Sequence, residues 1–282
     1  MNYKYSYSEI STYNDCPLAW YLKYKLKYRD LEDSKHLAFG SMAHNVLEKL
    51  EIPDEFSYTD IKDSFNITSW ENYFTPIFKE LEVFYADKEI LDTEIYLESE
   101  LFKGKIDVIA KDSNGLYWII DYKFTKNSKS IDDIDYDAQL EPIYLDLVYT
   151  KYPDVDINDI MLCYISISKE EVNKPKINKG DILSRNTKQR TTYSLYLEEI
   201  LKRGENPDDY KEELEIFQNK NVINISFRPV MKSLLDSKLD NLITIMEKIE
   251  KAHKQDKHSK CMTSFRQNNC VCKNFDNFGN KM

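Results

Sequence analysis

Residues 104–123 decide the fold: Gly104-Lys105-Ile106-Asp107-Val108-Ile109-Ala110-Lys111-Asp112-Ser113-Asn114-Gly115-Leu116-Tyr117-Trp118-Ile119-Ile120-Asp121-Tyr122-Lys123. Two runs of period two flank Asp112-Ser113-Asn114-Gly115, a turn signal of the kind that closes a three-residue hairpin. Centring the loop on Asn114 sets Asp107 opposite Asp121, Lys105 opposite Lys123 and Ile109 opposite Ile119. The other face then pairs Ile106 with Tyr122, Val108 with Ile120 and Ala110 with Trp118, and reads as core. A one-residue slip would separate the aspartates, so the register carries the reading.

Like charges directly opposite across an antiparallel pair cost up to about 1 kcal/mol. A divalent cation is the simplest compensation, because hard cations take carboxylate oxygens. Lys123 follows Asp121 by two residues and points the same way, within reach of a metal-bound water or a phosphate. The competing reading is a solvent-facing strand with incidental charges, which Ile109 and Ile119 on that face oppose.

Outward from the hairpin, Ile95 and Leu97 predict a preceding strand, and Met161 to Ser168 and 221–228 predict two more. Helices are expected over 36–50, 136–150, 190–217 and 231–255, with an acidic helical stretch over 58–88 broken near Pro76. The first thirty residues predict a helix capped by Ser8 and restarted by Pro17. The fold class is α/β, a mixed central sheet with an antiparallel hairpin flanked by helices. We read 1–282 as one domain, with 51–90 as an acidic helical insertion, 151–255 as a basic and helical elaboration, and 256–282 as a Cys-rich tail.

Gly104-x-x-Asp107 followed by Asp121-Tyr122-Lys123 resembles the active-site hairpin of the PD-(D/E)xK nucleases, in particular their RecB-like branch. Gly40-Ser41-Met42-Ala43-His44, followed by Val46-Leu47-Glu48, resembles the Gly-x-x-x-His helix of that branch. The resemblance implies a restriction-endonuclease-like sheet. It also implies a site in which His44, Asp107, Asp121 and the backbone carbonyl of Tyr122 hold Mg²⁺ or Mn²⁺ while Lys123 orients the attacking water. A lone helical histidine is more often structural; the adjacent hairpin favours a ligand, and neutral imidazole is a competent one. The family's Gln-x-x-x-Tyr helix is matched at Gln139, whereas Tyr144 stands one position late and Ile143 occupies the helical neighbour of Gln139. Both are carried over as DNA contacts.

There are five cysteines, and Cys163 reads as a buried small hydrophobe in a strand. Cys16, in Ser8-x-x-x-x-Tyr13-x-x-Cys16-Pro17, resembles the opening of the iron–sulfur nucleases, in which one N-terminal and three C-terminal cysteines bind a [4Fe–4S] cluster. By resemblance Cys16, Cys261, Cys270 and Cys272 are the ligands, joining the chain ends. The spacing Cys261-x₈-Cys270-x-Cys272 departs from the family, so zinc, with His253 or His258 contributing, and an empty site stay open.

The formal charge of −10 disfavours a polyanionic partner at first sight. Residues 51–100 alone hold fourteen acids against three bases, a balance of −11, so the rest of the chain sums to +1. Lys174, Lys176 and Arg185 lie in a locally basic stretch, expected to contact phosphates without reading sequence. A second such stretch, Lys23 to Arg29, interleaves bases with Tyr24 and Tyr28. The acidic segment is expected to face away from the substrate. No apolar run long enough to cross a membrane and no helicase P-loop occur, so we expect a cytoplasmic protein without a membrane partner. Any unwinding motor or recombination partner would be a separate chain. The reading converges on a metal-dependent deoxyribonuclease, an exonuclease acting on single-stranded or end-bearing DNA. A non-catalytic DNA-binding module and a structure-specific or RNA-directed nuclease are the alternatives.

Overall fold

The computed structural model describes residues 3–28, 34–125, 140–218 and 222–255. Gln139, Cys261, Cys270, Cys272, Arg29 and His258 lie outside the described residues.

Helix α1 (Tyr7–Asp15) is capped by Ser6, whose Oγ accepts the Glu9 N–H at 3.3 Å. Ser8, the expected cap, instead receives the Tyr24 hydroxyl. Pro17 does restart the chain, opening α2 (Pro17–Trp20), which continues into a π-helical turn over Tyr21–Lys25. Helix α3 (Ser34–Lys49) is followed by α4 (Thr59–Ser64) and α5 (Trp70–Tyr85). Pro76 lies inside α5 and does not break it. A mid-helix proline costs about 3 kcal/mol. The buried Trp70, Tyr73, Phe74, Ile77 and Leu81 hold the helix to the sheet on both sides of it.

Strands β1 (Lys88–Glu98), β2 (Lys103–Asp112) and β3 (Tyr117–Thr125) follow. Asp112 builds the β2–β3 turn, its Oδ1 accepting the N–H groups of Asn114 and Leu116 while Oδ2 accepts the Trp118 indole. Gly115 supplies the φ of +90° that the turn requires. Helix α6 (Leu140–Lys151) leads to β4 (Ile160–Ser168). A two-strand ribbon, β5 (Ile177–Asn178) and β6 (Ile182–Leu183), precedes α7 (Tyr193–Lys202), α8 (Lys211–Phe217), β7 (Ile223–Pro229) and α9 (Lys232–Gln255). A 3₁₀ turn at Pro207–Tyr210 interrupts the single helix expected over 190–217.

The five-stranded sheet runs β1-β2-β3-β4-β7. Only the β3–β4 pair is parallel. One face packs against α1, α2, α6 and α9, and the other against α3, α4 and α5. Within the 51–90 stretch α4 and α5 supply part of one core layer, and the 151–255 stretch contributes the two expected strands, β4 beside β3 and β7 at the sheet edge. A satellite core of Leu183, Tyr196, Ile200, Tyr210, Leu214 and Phe217 holds α7 and α8. At Gly104 the sheet lies close under α6: a Cβ there would stand 3.2 Å from Leu147, a tight contact. No helix among the described residues is long and apolar enough to cross a membrane.

Candidate active site

The hairpin has the register expected from its turn, pairing Val108 with Ile120, Ile109 with Ile119 and Ala110 with Trp118. It stops one step short of the aspartates. Beyond Ile120, β3 continues along β4, setting Asp121, Tyr122 and Lys123 beside Tyr164, Ile165 and Ser166. β2 continues along β1 as far as Lys103 opposite Glu98. The two strands fork there, and Asp107 Oδ2 accepts the Tyr122 N–H at 2.7 Å in place of a ladder bond. Asp107 with Asp121, and Lys105 with Lys123, are thus not cross-strand pairs. Each occupies one arm of the fork.

A second irregularity aims Asp107. Ile106 belongs to the core layer on the α6 side and Val108 to the layer on the α3 side, so the inside–outside alternation slips at Asp107. Across the ladder Glu94 has a φ of +49°, a left-handed conformation uncommon outside glycine. Both carboxylates thereby reach His44 on α3. Nδ1 of His44 lies 3.2 Å from Glu94 Oε1 and 3.5 Å from Asp107 Oδ1. Potential ligand atoms of His44, Glu94 and Asp107 all fall within 4.8 Å of one another. Lys105 closes the group by an ion pair with Glu94.

Asp121 has two further partners. Its Oδ1 accepts the Tyr144 hydroxyl at 2.6 Å, and its Oδ2 forms an ion pair with Lys123 Nζ at 2.6 Å. Burial first, and then the charge of Asp121, lift the Asp107 pKa to about 6, against the opposing pull of His44 and the Tyr122 N–H. Desolvation works against the charge on Lys123, but Asp121 more than offsets it and the lysine pKa lies above its ordinary value. Burial, and then Asp121, push the Tyr144 phenol far up, so it remains a donor. The carboxylates crowding one imidazole, one of them with a raised pKa, have the donor chemistry that a divalent cation satisfies.

A family model described as the PD-(D/E)XK nuclease superfamily matches residues 4–220. The chain belongs to the PD-(D/E)XK nuclease superfamily. Members use divalent metals, and among the described residues His44, Glu94 and Asp107 are placed so that they could hold one. No curated protein matches the chain at a significant level.

Of the residues singled out in the sequence of this superfamily member, His44, Asp107, Asp121 and Lys123 gather at the fork. Tyr144, read as a DNA contact, is buried and bonded to Asp121. Lys174 and Lys176 are exposed on the segment after β4. The exposed Arg185 pairs with Glu213 at 3.4 Å and lies 4.5 Å over the Tyr210 ring. Cys16 is buried as the cap of α2, its Sγ accepting the Ala19 N–H at 3.4 Å. Cys163 is buried as expected.

Two residues escaped the sequence reading. Glu94 comes from the acidic segment expected to face away, and one more acid among fourteen gave no signal. Lys169, just beyond β4, lines the open side of the site with His36, Lys105 and Lys123 and lies 3.4 Å from His36 Nδ1. Desolvation lowers its pKa.

Proposed function

We propose that this protein hydrolyses phosphodiester bonds of DNA with Mg²⁺ or Mn²⁺ held by His44, Asp107 and Glu94. Asp121 and the Tyr122 carbonyl would complete the set. The observation that carries this is the convergence of His44 and Asp107 beside the Asp121–Lys123 pair at the hairpin fork of a nuclease-superfamily chain. A bound cation would neutralise charge on the phosphoryl oxygen and lower the pKa of an attacking water. Lys123 donates hydrogen bonds to the phosphoryl oxygens as their charge grows. Asp121 positions that ammonium, and Tyr144 fixes Asp121.

We read the enzyme as an exonuclease of recombination, repair or phage DNA metabolism, acting in the cytoplasm on single-stranded or end-bearing DNA. A separate helicase or recombination protein would be its partner. Gln139, Lys174, Lys176 and Arg185 are assigned to phosphate contacts. The four catalytic positions are all filled, which opposes a binding-only module. End-labelled linear DNA and covalently closed circles, each with Mg²⁺, Mn²⁺ or EDTA, test the reading: cleavage confined to linear DNA and to the metal-containing reactions is expected. Cleavage that persists in EDTA would sink it, and efficient cutting of circles would replace exonuclease by endonuclease.

The [4Fe–4S] cluster on Cys16, Cys261, Cys270 and Cys272 belongs to the same proposal. Its support is the return of the chain to its start. His253 near the end of α9 packs edge-to-face against Trp20 with ring centroids 4.8 Å apart, and Lys25 Nζ donates to the His253 carbonyl at 3.3 Å. The end of α9 therefore lies against α2, the helix that Cys16 caps. Anaerobically purified protein is expected to be brown and to contain iron and acid-labile sulfide. Zinc without iron, or neither, removes the cluster.

A further inference from the structure

The His44–Glu94–Asp107 group separates two cavities of opposite character. On one side an open cleft of about 550 Å³ is walled by His36, Lys105, Lys123 and Lys169. On the other a cavity of about 450 Å³ runs between α3, α5 and β1, lined by Leu47, Phe78, Leu81, Tyr85, Ile90 and Val108. Both contain His44, Glu94, Asp107 and Tyr122, so a group held at the proposed metal site borders both. No lysine or arginine among the described residues lines the apolar cavity; its carboxylates are Glu82 and, shared with the cleft, Glu48, Glu94 and Asp107.

The geometry points to this apolar cavity as a subsite for one unstacked nucleobase of the DNA strand, next to the phosphate being cleaved. The inference rests on the nuclease reading and specifies its substrate. Phosphates are drawn to the cleft, whose three lysines offset the carboxylates it shares with the apolar cavity, and not to the apolar cavity, which has those carboxylates and Glu82 without a basic side chain among the described residues. What a nucleotide can place in the cavity is its flat, uncharged base. Its faces meet apolar and aromatic side chains, and its amino groups meet carboxylates. Tyr85 and Tyr122 join their hydroxyls at 2.7 Å. One hydroxyl donates to the other, leaving the second proton for an acceptor on the base edge. The volume falls within the range of small-ligand sites and lies off the cleft, so the base must leave its stack to enter. Extruding a base is least costly where it is already single-stranded or unpaired, which selects single strands and frayed ends.

The test scans one abasic tetrahydrofuran residue through a labelled single-stranded oligonucleotide and reads the cleavage ladder. Wild-type protein is expected to pause, with about tenfold lower kcat/KM, when the abasic residue occupies one fixed register beside the cut. Ile90→Trp, at the half-exposed rim, should slow cleavage of the normal oligonucleotide about tenfold and leave the abasic rate unchanged, erasing the difference. A wild-type ladder without a pause in any register overturns the base subsite while leaving the nuclease reading intact. Equal slowing of both substrates by Ile90→Trp also overturns it. No cleavage of the normal oligonucleotide, whether single-stranded or annealed into a duplex with free ends, overturns both.

Discussion

Tyr144 donates its phenolic proton to Asp121 at 2.6 Å, reaching from α6, the crossover helix between β3 and β4, to the carboxylate at the fork of the hairpin. Hydrogen bonds to charged groups contribute about 1.5–3 kcal/mol, and here the bond fixes the rotamer of the residue that also holds Lys123. Tyr144→Phe should therefore lower kcat about tenfold with KM within twofold of wild type. A rise in KM at constant kcat, measured on the same oligonucleotide, would return Tyr144 to the role of a DNA contact.

Asp121→Ala and Lys123→Ala should each abolish metal-dependent cleavage while circular dichroism and melting stay close to wild type. Both residues lie beyond the β2–β3 pairing, and their pairing with β4 is made by the backbone and does not depend on the side chain. Full activity in Asp121→Ala would remove the assignment of this carboxylate.

Glu94 is the acid that only the fold brings to His44. Calorimetric titration with Mn²⁺ should give about tenfold or weaker affinity for Glu94→Gln, with a similar loss for His44→Ala. Unchanged affinity in Glu94→Gln would confine the residue to its ion pair with Lys105.

Asp107 has its pKa raised to about 6 by burial and by Asp121. An acid with a higher pKa folded than unfolded binds protons more tightly when folded, so stability declines as pH rises from about 4 through about 6. The ceiling is ~3 kcal/mol, from 1.36 kcal/mol per unit. In EDTA at pH 7.5, Asp107→Asn should melt a few degrees above wild type by calorimetry, and the gap should close as pH falls below about 4. Identical melting at both pH values would mean that the surrounding donors already compensate the charge.

The basic stretch after β4 is assigned to phosphates, so its effect should be electrostatic and independent of sequence. Replacing Lys174, Lys176 or Arg185 by Ala should each reduce the slope of log K against log salt by about 0.7–0.9. Each should weaken unrelated DNA sequences equally in anisotropy titrations. An unaltered slope for a variant would take that residue off the DNA path.

What was legible in the sequence was local. The turn at Asp112-Ser113-Asn114-Gly115 and the flanking period of two suffice for the register, because turn chemistry and side-chain alternation act over a few residues. The Gly40 to His44 helix and the Asp121-Tyr122-Lys123 strand were legible for the same reason. Local rules misplaced the cap at Ser8 and the break at Pro76, where the observed Ser6 cap and the packing around α5 prevailed.

The remainder was decided by tertiary structure. That β3 leaves β2 to follow β4, opening the fork between Asp107 and Asp121, depends on a parallel pairing across more than forty residues, which no local period encodes. That Glu94 turns to His44 depends on one left-handed residue in a strand, held there by its neighbours against its own preference. That Tyr144 reaches Asp121 depends on how α6 seats on the sheet. The sequence by itself determined four of the candidates, His44, Asp107, Asp121 and Lys123, and not Glu94. The folded chain decided which carboxylate stands beside the histidine and which beside the lysine, because charges come together only where burial and backbone geometry outweigh their repulsion.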